Sequence, residues 1–312
     1  MLDGSPDKLT WAVLQTVTYS DIFDYPLTAR EIHRYLSGVK ATLEEVTLTL
    51  EEGILSRAGK YFTLPGRETI GEIRLQREKR SRELLPTAIR YGRILGGLPY
   101  IRMVALTGSL AVLNVSKNAD FDYMLVTSPG RVWTARAFAV LLNRVMRSFG
   151  HTICPNLIVS ETALEWPLHD LYSARELCQM IPITGLNVYQ RLLEANHWAK
   201  DFLPNVSLDS GGLPPKSQKL SSIFQDFLEL PLRGKSGDSF EQWEMNRKIA
   251  RFSKQAGFGE ETVFNAEVCQ GNFHHHRKWT KEVFIERLRR LDFESDSEPS
   301  VVSGARHHAG SP

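Results

Sequence analysis

Cysteine is scarce in this chain of 312 residues: only Cys154, Cys178 and Cys269 occur, an odd number and far apart. Three such positions give neither a disulfide framework nor a zinc spacing, and a reducing compartment is the expectation. A surplus of either charge is missing as well. Lys and Arg number 38 against 36 for Asp and Glu, a formal net charge of +2, so no general polyelectrolyte attraction to nucleic acid operates. No apolar run reaches the ~20 residues that a membrane-crossing helix needs, so no membrane partner is expected. The opening residues, MLDGSPDKL, carry neither a cationic start nor an apolar signal core, and a cytoplasmic protein is the expectation. No internal repeat occurs. What is there is ordinary: 42% hydrophobic and 24% charged residues, in a chain long enough for two or three domains with cores of their own.

Apolar residues fall at helical spacing in residues 8–19, at Leu9, Val13, Leu14 and Val17, and the segment Asp21–Pro26 breaks that helix. Thr28 with Glu31, and Thr42 with Glu45, form capping boxes that open a second and a third helix. The third ends at Gly53, and two short β-prone runs then flank Ala58-Gly59-Lys60, a hairpin signal. Three helices followed by a hairpin is the order of a winged helix-turn-helix, here assigned to residues 1–68. Its third helix bears Glu44, Glu45, Glu51 and Glu52 with no Lys or Arg, so weak DNA binding and a protein partner are predicted for it.

A charged helix follows within residues 69–97, predicted from about Thr69 to Leu85, with Pro86 bending or restarting it. Seven Arg or Lys lie between Arg74 and Arg93. They read either as a lining for a triphosphate or acidic substrate or as a solvated helix face. Residues 98–165 read strand, Gly-Ser turn with a short helix, strand, amphipathic helix, strand. Residues 166–293 read as a helical C-terminal region, with a linker at 204–217, and residues 294–312 as a disordered tail. The fold class is therefore α+β.

The chemistry concentrates in MVALTGSLAVLNVSKNADFDYMLV, residues 103–126. Gly108-Ser109 closes one apolar run, and Asp120-Phe121-Asp122 opens the next. Carboxylates at i and i+2 on a strand share a face. Hard divalent cations take oxygen ligands, and two carboxylates beyond a Gly-Ser turn make a candidate site for Mg²⁺ and a triphosphate. Gly108 lets the backbone approach a phosphate, and Ser109 offers a hydroxyl and an amide.

Gly-Ser, a gap of some ten residues and Asp-x-Asp between hydrophobic residues together resemble the signature of the nucleotidyltransferase superfamily with the DNA polymerase β fold. The resemblance covers residues 98–165. It implies Mg²⁺ held by Asp120 and Asp122, Gly108 and Ser109 at the nucleoside triphosphate, and transfer of a nucleoside monophosphate to a small-molecule or protein acceptor. It also implies a third carboxylate on the next strand. That strand, Ile153–Ser160, has Asn156 but no acid; Glu161 and Glu165 lie just past it. The alternative is a non-catalytic nucleotide-binding regulatory protein whose winged helix contacts DNA or a partner protein. His274-His275-His276 reads as a polar surface or a phosphate-contacting loop, since adjacent residues on a helix diverge around its axis and cannot ligate one metal.

Overall fold

The structure, a computed structural model, describes residues 7–117, 120–207 and 225–291. The first helix, α1 (Lys8–Asp21), starts where the Asp7 side chain accepts from the Thr10 amide, and most of its length is buried. Helices α2 (Ala29–Arg34) and α3 (Leu43–Glu51) open on the two capping boxes, each with both reciprocal hydrogen bonds formed. Strands β1 (Ser56–Ala58) and β2 (Tyr61–Thr63) pair antiparallel around Gly59, whose φ of +63° favours glycine.

Helix α4 (Ile70–Gly96) runs unbroken through Pro86, where the sequence predicts a bend or a restart. The ring is exposed, so the carbonyl that it leaves without a helical partner faces water. Four of the α4 arginines bind protein groups. Arg74 pairs with Glu31 at 2.8 Å and lies 3.7 Å over the Tyr25 ring. Arg77 donates to Phe23 O and Arg80 to Val115 O, while Arg82 pairs with Glu78.

A mixed six-stranded sheet forms the centre. Its order is β6-β3-β4-β5-β8-β7, with β3 (Ile101–Leu106), β4 (Phe121–Thr127), β5 (Ile153–Ser160), β6 (Ile181–Thr184), β7 (Thr262–Phe264) and β8 (Val268–Gly271). Only β4 and β5 are parallel, joined by α6 (Val132–Arg147); the other pairs are antiparallel. The four-residue helix α5 (Gly108–Ala111) lies between β3 and β4.

The C-terminal region contains α7 (Leu171–Gln179), α8 (Leu186–Ala195), α9 (Ala199–Phe202), α10 (Lys235–Phe252) and α11 (His276–Arg290). It is not wholly helical as expected, because β6, β7 and β8 also come from it. Strand β6 escapes pattern reading because it has four residues and contains Pro182, which a strand bonded on one side alone tolerates. The last helix begins at His276. Most of the expected linker and all of the expected disordered tail lie outside the described residues.

Each sheet face has its own cluster. Val104, Leu106, Phe121, Tyr123, Leu125 and Ile158 meet α4 and α6 through Ala88, Leu95, Trp133 and Ala139. Met103, Ala105, Met124, Val126 and Val159 meet α7, α8 and α11, and also Tyr19, Ile22 and Tyr35 of the N-terminal helices. Those three residues tie the N-terminal unit to the second cluster, while the unit keeps a third cluster of its own around Val13, Val17, Leu27, Ile32, Leu36 and Val46. Arg175 of α7 is 1% exposed and stacks against both Tyr19 and Tyr35 at 4.9 and 4.8 Å, donating to Tyr35 O. Gly38 N donates to Phe202 O, and Asn205 Nδ2 to His33 O. Helix α3 stands apart: Glu44, Glu45, Glu51 and Glu52 are exposed, and Leu48 among them is 57% exposed.

Candidate functional site

The loop from β3 into α5 turns at Gly108, whose φ is +65°. A Cβ on Gly108 would sit 2.6 Å from Oδ2 of Asp122, so a bare Cα is what admits the carboxylate against this backbone. The approach is held by the sheet: Leu106 pairs with Tyr123, and Thr107 N donates to Asp122 O at 2.9 Å. Ser109 is exposed at the second position of α5.

Asp122 is the second residue of β4. Its neighbours Phe121 and Tyr123 belong to the α4–α6 side, so alternation places Asp122 on the opposite face, toward α7. Asp120 precedes the strand by one residue and is exposed, whereas the sequence predicts both acids on the strand. Its charge still reaches Asp122. Burial first, and then Asp120, push the Asp122 carboxyl up to about 6, while the Cys154 thiol bonded to it pulls the other way. Cys154 is the register partner of Asp122 on β5; burial and then Asp122 drive its thiol up to about 12, so it remains protonated.

The expected third-acid position is empty of acids. Asn156 is exposed at the irregularity where β5 shifts register against β4. Glu161, at the far end of β5, is ion-paired with Arg191. Another carboxylate, Glu176 on α7, feels the charge of Asp122. Burial, and after it the charge of Asp122, push Glu176 up to about 7. Among the described residues Glu176 makes no hydrogen bond or ion pair. The Tyr19 and Tyr172 phenols are held well above their usual range, by burial first and with Glu176 contributing. Sequence reasoning missed Glu176 because it lies on a helix 54 residues beyond Asp122. The available signal was an acid beside apolar Ala174, Leu177 and Cys178.

Strand β8 runs antiparallel to β5, with Gln270 opposite Leu157, so residues 272–276 emerge at the sheet end where β4 and β5 begin. This loop folds around buried Glu261, which accepts from Asn272 Nδ2 and from the amides of Arg277 (3.1 Å) and Lys278 (2.7 Å). The start of α11 is therefore already capped by a carboxylate. His276 is lowered by burial and by His274. Helix α4 meets the other sheet face through Ala88 and Leu95.

No protein-family model, no curated protein and no solved structure matches this chain. The site must be judged on its own chemistry. The Asp122 carboxylate meets a backbone that only glycine can supply, the charge of Asp120 reaches it, and neither acid has an ion-pair partner among the described residues. There, no group of three or more His, Cys, Asp or Glu side chains converges to hold a metal. Mg²⁺ is commonly held by one or two carboxylates, with phosphate oxygens and water completing its shell, and a two-aspartate site fits that habit.

Proposed function

We propose that the chain is a Mg²⁺-dependent nucleotidyltransferase of the polymerase-β-like kind, moving a nucleoside monophosphate from a triphosphate to an acceptor, with an N-terminal winged helix. The observation that carries this reading is the contact between Gly108 and the Asp122 carboxylate. The Gly-Ser turn and the Asp-x-Asp segment are separated in sequence, and they meet at one point. Asp120 and Asp122 would hold Mg²⁺, which supplies positive charge to offset the triphosphate and the charge developing at its α-phosphorus. Gly108 lets phosphate oxygens approach the backbone, and exposed Ser109 offers a hydroxyl beside them. Asp122, drawn from water and set beside Asp120, is poised to gain from any cation that neutralises the pair.

The test is thermal unfolding with each of the four nucleoside triphosphates, with and without Mg²⁺. A ligand that binds only the native state must raise the midpoint, by about 2.7 kcal/mol of stability at a hundred times its dissociation constant. The expected result is a rise that requires Mg²⁺ and is absent in Asp122→Asn. A rise independent of Mg²⁺, or equal in the variant, would refute the reading.

A further inference from the structure

We propose that His274 and His276 form a two-imidazole site for a borderline divalent cation of the Zn²⁺ class, with His275 between them left out of it. The site uses none of the residues of the nucleotidyl-transfer reading and stands or falls independently of it.

On a continuous helix, side chains two residues apart diverge by about 200°, which would set His274 and His276 on opposite sides. The backbone does otherwise. Helix α11 begins only at His276, and His275 before it takes a left-handed turn, with φ +49° and ψ +44°. The two outer rings lie side by side, with centroids 5.7 Å apart. Both residues are exposed, and neither ring has a hydrogen-bond or ion-pair partner among the described residues. The loop is held on both sides of the pair. Asn272 O accepts from His275 N at 3.3 Å, and Asn272 Oδ1 from His276 N at 3.4 Å. Buried Glu261 takes Asn272 Nδ2 and the amides of Arg277 and Lys278, so it orients the loop rather than joining the ion.

The spacing suits a shared ion. Zn²⁺ binds a ring nitrogen at about 2.0–2.1 Å, which puts the metal roughly 3.2 Å from each ring centroid. At a tetrahedral angle the two centroids would then stand about 5.2 Å apart. The observed 5.7 Å is within about half an ångström of that separation. Imidazole suits Zn²⁺, Cu²⁺ and Ni²⁺, whereas Mg²⁺ and Ca²⁺ prefer oxygen. Among the described residues no third His, Cys, Asp or Glu converges on the pair. The remaining positions therefore fall to water or to an external donor, an open shell rather than the four protein ligands of a structural zinc site.

The experiment titrates the full chain, stripped of metal, with Zn²⁺ alone, by calorimetry and by thermal unfolding. The double variant H274A/H276A keeps His307, His308, Asp120 and Asp122, so it sets the baseline for every other ligand in the chain. The wild type should bind one Zn²⁺ that this variant does not. H274A and H276A should each weaken that binding by roughly tenfold or more. H275N removes the middle imidazole but accepts the left-handed turn, and should bind within about threefold of wild type. H275V keeps both outer imidazoles, but its branched side chain resists that turn, and should bind more weakly. Zn²⁺ should also raise the melting point of the wild type and of H275N above the baseline, because the rings are set together only in the folded chain.

A loss in H275N as large as in H274A or H276A would make the three histidines an ordinary run and overturn the proposal. So would equal Zn²⁺ binding by the wild type and the double variant, or binding with no rise in melting point, the mark of a metal held as well by the unfolded chain. Wild-type affinity in H275V would show that the turn does not build the site, and would overturn it too. If H275V does not fold, H275N and the two exposed outer positions decide. None of these outcomes bears on Asp120 and Asp122.

Discussion

Replacing Glu176 with glutamine probes the site without any ligand. An ordinary glutamate titrates at 4.5, and Glu176 in the folded chain at about 7, raised by burial and then by Asp122. A folded pKa above the unfolded one means that protonation favours the native state. The contribution is therefore fully present below 4.5 and is lost as the pH rises through about 7. At about 1.4 kcal/mol per pH unit of that interval, the ionised carboxylate costs on the order of 3–4 kcal/mol above pH 8. Glutamine, of the same shape and always neutral, escapes the cost. With a shift of roughly 2 °C per kcal/mol for a chain of this size, Glu176→Gln should melt about 7 °C above wild type at pH 8. The two should coincide near pH 4.5. The assay is thermal unfolding followed by circular dichroism at four pH values, free of metal and nucleotide. A gap that does not change with pH, or a wild type that is the more stable at pH 8, would show that Glu176 has a cationic partner after all and refute the reasoning.

Four further outcomes are expected. Asp122→Asn should abolish Mg²⁺-dependent stabilisation by triphosphate and still raise the melting point of the apoprotein above pH 7, because Asp122 titrates near 6 in the fold against 3.8 ordinarily; calorimetry with and without Mg²⁺ checks both. Gly108→Ala forces a side chain to a φ of +65° and to 2.6 Å from Asp122 Oδ2, so it should cost about 1–3 kcal/mol and weaken nucleotide binding, both read from melting curves. Arg175→Ala removes the guanidinium stacked on Tyr19 and Tyr35 and should cost roughly 2–4 kcal/mol in chemical denaturation, a loss from packing rather than from an ion pair. Random duplex DNA at about 150 mM salt should bind the full chain no better than the roughly 10⁻⁴–10⁻⁶ M of non-specific binders, since the exposed face of α3 is acidic; submicromolar binding with a steep salt dependence in a fluorescence titration would contradict this.

Local signals were legible wherever they are self-contained. The capping boxes at Thr28 and Thr42 opened helices, Gly59 turned a hairpin, and the strands around Gly108 and Asp122 lay where their apolar runs placed them. The pairing of Gly108 with Asp122 was legible because one register fixes both. Signals that depend on distant partners were not. Strand β6 exists only because β3 offers an edge to a proline-bearing segment, and β7 and β8 because β5 offers the other. The charge of α4 left a phosphate lining and a solvated face both open, and neither reading foretold that Arg74 and Arg77 bind the N-terminal unit. Glu176 gave no motif, since its importance comes from what α7 packs against. No periodicity reports that.

Arg175 and Glu176 are consecutive, and on a helix consecutive side chains diverge by about 100°. One grips the rings of the N-terminal unit, and the other feels the charge of Asp122. Tyr19, Ile22 and Tyr35 are members of the same apolar cluster as Met124 and Leu177. A boundary drawn after the β1–β2 hairpin would therefore cut through a shared core, although the N-terminal helices also keep a core of their own. A fragment beginning there would bare one sheet-side cluster and strand a buried guanidinium. The described chain should consequently lose its structure in a single cooperative transition, with amide protons of α1 and β4 exchanging at similar free energies, instead of shedding its first helices as an independent foldon.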